Sequence, residues 1–273
     1  MMSQDVSLKT LVDRGESLAS LGWGIIDAHG HIGSTNTFYT PDPGAAAIVE
    51  IMDRLGVAMT GISSELAIGS DYARGNDLTA EAVHRFPGRF FGYVTPNPHY
   101  ADDVIHELER GYDELGLCAI KLHPETQQYA VTDPMCGPIW EFAAARKAVL
   151  LSHTWADNPY CRPSMFAELA EAYPQLSFLL GHSGATPEGR REAVEVAKAH
   201  KNVYLEICLS MLAFSFRPLG KGEVGADHVI YGTDASFIDP RFTFGKMAYA
   251  KLDDKQRRLI MAENISRLLN LRR

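Results

Sequence analysis

The segment Ile25-Ile26-Asp27-Ala28-His29-Gly30-His31 sets two imidazoles two residues apart. On a strand, a period of two turns both toward one face, where they can share a metal ion. Two hydrogen-bonded histidines at a strand end are the simpler alternative. Asp27 has the same parity and is expected one layer deeper, orienting an imidazole or a lysine. Val149-Leu150-Leu151-Ser152-His153 and Leu176-Ser177-Phe178-Leu179-Leu180-Gly181-His182 read as two further strands that each end in an inward histidine. Under that reading Val149 and Leu151 lie beneath His153, and Leu176, Phe178 and Leu180 lie beneath His182. Val229-Ile230-Tyr231-Gly232-Thr233-Asp234 ends in a carboxylate that shares parity with Ile230 and Gly232. In Ala119-Ile120-Lys121-Leu122-His123-Pro124, Lys121 and His123 face the same way. An inward lysine needs a partner, for which Asp27 or a substrate carboxylate is expected. His123 reads as the polar residue ahead of the Pro124 turn, with a fourth imidazole at the site as the alternative.

Such residues can act together only if the chain brings their strands to one mouth. Short apolar or β-branched runs alternate with stretches of helical period along the whole chain. The predicted strands are Gly24–His29, Val57–Ser63, Arg89–Thr95, Cys118–His123, Ala148–His153, Leu176–His182, Val203–Cys208 and His228–Asp234. Eight strands in 273 residues is one per roughly 34, the spacing of repeated β-then-α units. Between them, Ala101–Gly116 has Val104, Ile105, Leu108, Tyr112 and Leu115 at helical spacing, acids Asp102 and Asp103 in its first turn and Gly116 as a stop. Pro138 and Pro187 read as first-turn prolines, the second after a capping Thr186. Residues 211–227 mix turn signals with apolar residues and give no clear element. The expected fold is a distorted (β/α)8 TIM barrel over residues 24–273, preceded by an extension over residues 1–23. In a closed barrel the last strand neighbours the first, and functional groups gather at the C-terminal strand ends. Asp234 is then expected to face His29 and His31. Three imidazoles and a carboxylate converging from several strands suit a divalent metal, zinc especially.

Composition narrows the classes further. The 26 basic and 34 acidic residues leave a net charge of −8, which argues against a protein that tracks a nucleic-acid backbone. Cys118, Cys136, Cys161 and Cys208 form no C-x-x-C pair, so neither a zinc knuckle nor a disulfide framework is expected. No apolar run approaches the length of a membrane span, and the first twenty residues carry charges where a signal peptide would be apolar. The expectation is a cytoplasmic protein that meets a small-molecule substrate, with no nucleic-acid or membrane partner; a homodimer is compatible with all of this.

The motifs Ile26-Asp27-Ala28-His29-Gly30-His31, Lys121-Leu122-His123-Pro124, His153, Gly181-His182-Ser183-Gly184, Tyr231-Gly232-Thr233-Asp234 and Asn264-Ile265-Ser266-Arg267-Leu268-Leu269 resemble, in the right order, the amidohydrolase superfamily. The likeness is to its amidohydrolase-2 branch of metal-dependent hydrolases. It covers nearly the whole barrel, leaving only the first twenty residues and the 211–227 region without a counterpart. The resemblance implies His29, His31, His153 and Asp234 as metal ligands, and Asp234, His182 and Lys121 as catalytic residues. One divalent ion is expected rather than two, zinc rather than manganese. In binuclear relatives a carbamylated lysine bridges two metals, and Lys121 and His182 match the positions this would use. In mononuclear relatives the strand-six histidine is an acid or base, the role expected of His182.

The expected reaction is hydrolysis of a small amide, ester or lactone by a metal-activated water. Asp234 would carry the proton and His182 would hydrogen-bond the developing oxyanion. The alternative is a non-oxidative decarboxylase of an aromatic or enol acid, a class the same branch contains. A TatD-like nuclease would need a glutamate where Lys121 stands, and a barrel reduced to a binding module would lack ligands that are present here. For specificity the βα loops offer Tyr39, Trp155, Tyr160, Arg162 and Arg217, and either arginine could clamp a carboxylate, although a solvated arginine is the commoner reading.

Overall fold

The computed structural model describes residues 7–271 except Asn36, Phe38 and residues 210–223. Eight parallel strands follow one another around a barrel: β1 (Ile25–Ile32), β2 (Val57–Ser64), β3 (Phe90–Val94), β4 (Ala119–Leu122), β5 (Val149–His153), β6 (Ser177–Gly181), β7 (Val203–Glu206) and β8 (Val229–Ile230). Each of the eight predicted strands is present, and β8 is the most shortened, its last four predicted residues running on without a ladder. The seam between β8 and β1 closes through a bridge between Gly30 and Ala235. Ala28 N donates to Tyr231 O at 2.9 Å and Asp234 N to His29 O at 2.8 Å. This (β/α)8 closure brings Asp234 beside the two first-strand histidines.

Helices cover the outside because their sequences carry their own starts and stops. Thr186 accepts from Gly189 N and Pro187 opens the helix Pro187–Ala199, as its sequence predicts. The Ala101–Gly116 segment is a helix over Val104–Glu109 that widens into a π turn at Arg110–Glu114, and Gly116 ends it at a φ of 71°. Asp103 holds the first position but sends its carboxylate to the Tyr72 hydroxyl instead of the helix amides. Of the N-terminal extension, the helix Leu8–Arg14 buries Leu8 and Leu11, and Leu8 packs with Ile25 and Met247. Among the described residues no helix is long and apolar enough to cross a membrane, and all four cysteines are free.

The interior of the barrel is a small core of Ile26, Ala28, Phe91, Tyr93, Val149, Leu151, Leu179 and Ile230, and Ile265 from the helix Asn264–Leu269 packs with it. Two expected strand parities are corrected by this core. On β6 the interior residue is Leu179; Leu176, Phe178 and Leu180 pack outward with Trp140, Phe166 and Val196. On β1, Asp27 pairs with Thr60 and Gly30 with Ile62, so three steps on β1 oppose two on β2. That extra residue is a bulge, which shifts the alternation of a strand by one. Ile26 and Ala28 therefore face the interior below the bulge, and His29 and His31 do so above it, while Asp27 turns to the β8 seam.

Candidate active site

The first-strand histidines are each held from behind. Glu206, the last residue of β7, lies 3.0 Å from His29 Nδ1, and Ser63 Oγ on β2 lies 3.1 Å from His31 Nδ1. The His31 ring also stacks on Phe237 at 4.8 Å. Their Nε2 atoms are thereby aimed at one carboxylate oxygen: His31 Nε2 is 3.2 Å and His29 Nε2 3.6 Å from Asp234 Oδ1. Asp234 reaches this place from a left-handed backbone, φ 64°, a conformation aspartate tolerates better than most residues. All three side chains are buried.

The titration of these groups follows from that burial. Desolvation, then the nearby Lys121 charge, pushes His31 down to about 3, which keeps its ring neutral with a lone pair available. Burial alone would raise Asp234, but the interactions with the surrounding imidazoles, first the hydrogen bond from His31, outweigh it and hold the carboxyl well below its ordinary range. Two imidazoles and a carboxylate, with donor atoms all within 4.8 Å of one another, form a donor set that suits a divalent cation. A cationic group is already directed into it, since Lys121 Nζ lies 2.6 Å from His29 Nε2.

Lys121 thus meets His29 and not the expected Asp27. Asp27 in turn orients neither an imidazole ring nor the lysine: it accepts from His29 N and Thr233 N, each at 3.0 Å, and from the Thr233 hydroxyl, and so ties the seam of the barrel beneath the site. Burial lowers the pKa of Lys121, and the surrounding carboxylates oppose that shift.

His182 arrives by a turn. β6 ends at Gly181, and His182 and Ser183 both take positive φ, 62° and 46°, which swings the His182 ring toward the mouth despite the strand parity. Its Nε2 lies 3.0 Å from His153 Nδ1 and its Nδ1 3.0 Å from Cys208 Sγ. His153 stacks on His123 at 4.2 Å and on Trp155 at 5.8 Å, with Nε2 in close contact with Glu125 Oε2 at 2.9 Å. Of the residues expected to hold a metal, the structure gathers His29, His31 and Asp234 into one compact set; His153 stands on the facing wall beside His182. His123 both lines the cavity and caps the following short helix Pro124–Gln127, accepting from Thr126 N.

Three contributors go unrecognised at the level of sequence. Glu206 ends β7 with the same parity as the interior residue Tyr204, but the predicted strand Val203–Cys208 runs two residues past it, so the strand-end rule applied to the histidines does not single it out. Cys208 contacts His29, His182 and Glu206, and the four form a second, fully buried donor cluster. Glu65, directly after β2, carried no signal beyond its position at a strand end.

These groups line a cavity of about 390 Å³ whose walls include Trp155, Phe237, His123 and His153 and whose floor includes Lys121. A larger, open recess of about 810 Å³ lies at the opposite end, by Gly24 and Val57 at the starts of β1 and β2, and contains none of the histidines. Of the loop residues expected to shape specificity, Trp155 is in the wall, whereas Arg162 pairs with Glu192 at the surface and Tyr39 is exposed. Arg217 lies outside the described residues.

Residues 26–271 match the sequence description of the Amidohydrolase family. Comparison with curated proteins gives no match. Among solved structures, a Staphylococcus aureus protein classed as an amidohydrolase is 18% identical with a TM-score of 0.73, over 91% of this chain and 100% of its own. A 2,6-dihydroxybenzoate decarboxylase from Rhizobium is 17% identical with a TM-score of 0.72, over 90% of this chain and 98% of its own. A dihydroxybenzoic acid decarboxylase from Polaromonas sp. JS666, with bound manganese and the inhibitor 2-nitroresorcinol, is 19% identical with a TM-score of 0.71, over 92% and 98%. At these identities the likeness is one of fold.

Proposed function

The chain belongs to the amidohydrolase family, and from that premise we propose that it is a metal-dependent carboxy-lyase acting on a planar, hydroxylated aromatic or enol carboxylate. This reverses the order expected from sequence, in which hydrolysis came first. The observation that carries it is the cavity itself: a buried lysine at the floor of a narrow space walled by ring planes. Among the described lining residues Lys121 is the only lysine or arginine, so one anionic group is selected at depth while the rest of the ligand is held by stacking. The fold neighbours that act on dihydroxybenzoates support the same substrate class.

His29, His31 and Asp234 would hold the divalent ion, which supplies positive charge for the substrate's carboxylate and adjacent oxygen. Lys121 donates to the carboxylate from below, and an arriving anion favours its charged form. Trp155, His153 and Phe237, all in the cavity lining, would offer the ring faces to stack on. Decarboxylation breaks the bond between ring and carboxyl carbon, leaves the electron pair on the ring carbon and requires one proton there. The three carboxyls among the described lining residues, Glu65, Glu125 and Asp234, differ in their capacity to carry it, and the contact with His153 lowers Glu125. Asp234 stays ionised, whereas burial raises Glu65 above the ordinary range against a hydrogen bond from Thr35. Environments that push two acids apart assign their roles, so Glu65 is the proton donor and Asp234 the ligand. His182, neutral through burial, hydrogen-bonds the substrate's oxygen as it gains charge.

Hydrolysis of a small amide, ester or lactone is the second reading, favoured by the same ionised Asp234, which can accept a proton from water. One experiment separates the two. The manganese- or zinc-loaded protein is incubated with ortho-hydroxylated benzoates in D₂O enriched in ¹⁸O. Release of carbon dioxide with deuterium at the vacated ring carbon is expected. If instead esters, lactones or amides are turned over with ¹⁸O entering the product acid, and no benzoate loses carbon dioxide, the protein is a hydrolase.

A further inference from the structure

Glu206 is fully buried, and its carboxylate is shared by β1, the turn after β6 and the segment after β7. Oε2 lies 3.0 Å from His29 Nδ1, accepts from His182 N at 3.0 Å and from Cys208 Sγ at 3.0 Å; Oε1 accepts from Cys208 N at 2.6 Å. On the other side of His29, Lys121 Nζ lies 2.6 Å from Nε2. The Glu206 oxygens already accept from the His182 and Cys208 amides and act here as acceptors, which places the ring proton on Nδ1, facing Glu206, and leaves Nε2 to accept from the Lys121 amine. Both neighbours of the ring are satisfied by this one tautomer. That tautomer leaves the Nε2 lone pair toward Asp234, where a cation would be held.

We propose that Glu206 is a positioning residue that fixes the tautomer and orientation of His29 and, through the His182 amide, ties the turn carrying His182 to the same anchor. A carboxylate behind a metal-binding imidazole raises its basicity and holds its ring, and losing such a partner costs about 10- to 100-fold in metal affinity. Gly232 is part of the same device. A Cβ built there would lie 2.3 Å from Glu206 Oε1 and 2.8 Å from His29 Cβ, so only glycine leaves room for the carboxylate beside the ring. The inference rests on metal dependence and holds for either reaction.

The test uses the full chain, stripped of metal and titrated with Mn²⁺ or Zn²⁺, with ¹⁵N NMR of the histidine rings. In the metal-free wild type, His29 is expected as the single tautomer protonated at Nδ1; a ring protonated at Nε2, or a mixture, overturns the proposal without reference to any activity. Glu206→Gln, whose amide can donate to Nδ1 as well as accept from it, is expected to mix the tautomers and weaken metal binding about 10- to 100-fold. Gly232→Ala is expected to weaken binding in the same direction by displacing Glu206. If folded Glu206→Gln binds metal with unchanged affinity, the carboxylate has no positioning role.

Discussion

His31 Nε2 and Asp234 Oδ1 lie 3.2 Å apart, joining the end of the first strand to the turn that follows the last. The contact exists only because the barrel closes, and it concentrates an ionised carboxylate and a neutral imidazole at one buried point. Its consequence is a division of labour between residues that hold the cation and residues that do not.

Asp234→Asn should therefore lower metal affinity and reduce kcat/KM by roughly 10² to 10³, the equivalent of several kcal/mol of charge stabilisation. His182→Asn should reduce turnover while leaving the metal content of the purified protein intact. Elemental analysis of both variants beside the wild type checks this. A His182→Asn protein that has lost its metal would make His182 a ligand, and a wild-type ratio near two would restore the binuclear arrangement.

Lys121→Met removes the ammonium but keeps the length of the side chain. A hydrogen bond to a charged group contributes about 1.5–3 kcal/mol, so KM for a carboxylate substrate should rise about 10- to 100-fold. Chemical denaturation should show no loss of stability, because a buried amine with few partners is costly to the fold. Steady-state kinetics with and without the substrate's carboxylate measure the first effect.

Glu65 titrates above its ordinary range because of burial, and it must be protonated to act. The rate should therefore be highest on the acid side of its pKa and fall as pH rises through it. Glu65→Gln should lower kcat by about 10²–10⁴, the usual share of general acid catalysis, and remove that limb of the pH profile. A variant that keeps both the rate and the limb would assign the proton to another group.

Glu206 adds a stability term with the opposite pH dependence. Burial raises its pKa, but His29 and His182 and the hydrogen bonds from His29 and Cys208 override this and bring it to about 2, from 4.5 in the unfolded chain. A depressed carboxyl stabilises the fold fully above the unfolded value and loses that contribution as pH falls from about 4.5 toward 2, here about 3 kcal/mol. Urea unfolding of the metal-free protein across this range should show the decline, and Glu206→Gln should lack its share of it.

Much of this molecule was legible in its residues. Alternating apolar runs and helical stretches predicted eight β-then-α units, and all eight strands are present in order. His29, His31 and Asp234 were identified because a strand period of two and barrel closure are rules that local pattern obeys. Side-chain placement that depends on departures from those rules was not. The β1 bulge separates Asp27 from the histidines' face, and two residues in positive φ bring His182 inward against its strand's parity. Neither leaves a periodic trace in the sequence.

The chain alone therefore determined the architecture and the chemical types available at the mouth, since periodicity and residue type are properties of the polymer. The tertiary structure decided which groups meet: Lys121 with His29 instead of Asp27, His153 with His182, and Glu206 behind His29. Those pairings follow from register, bulges and turn geometry, and a displacement of a single residue along a strand redirects every side chain which that strand carries.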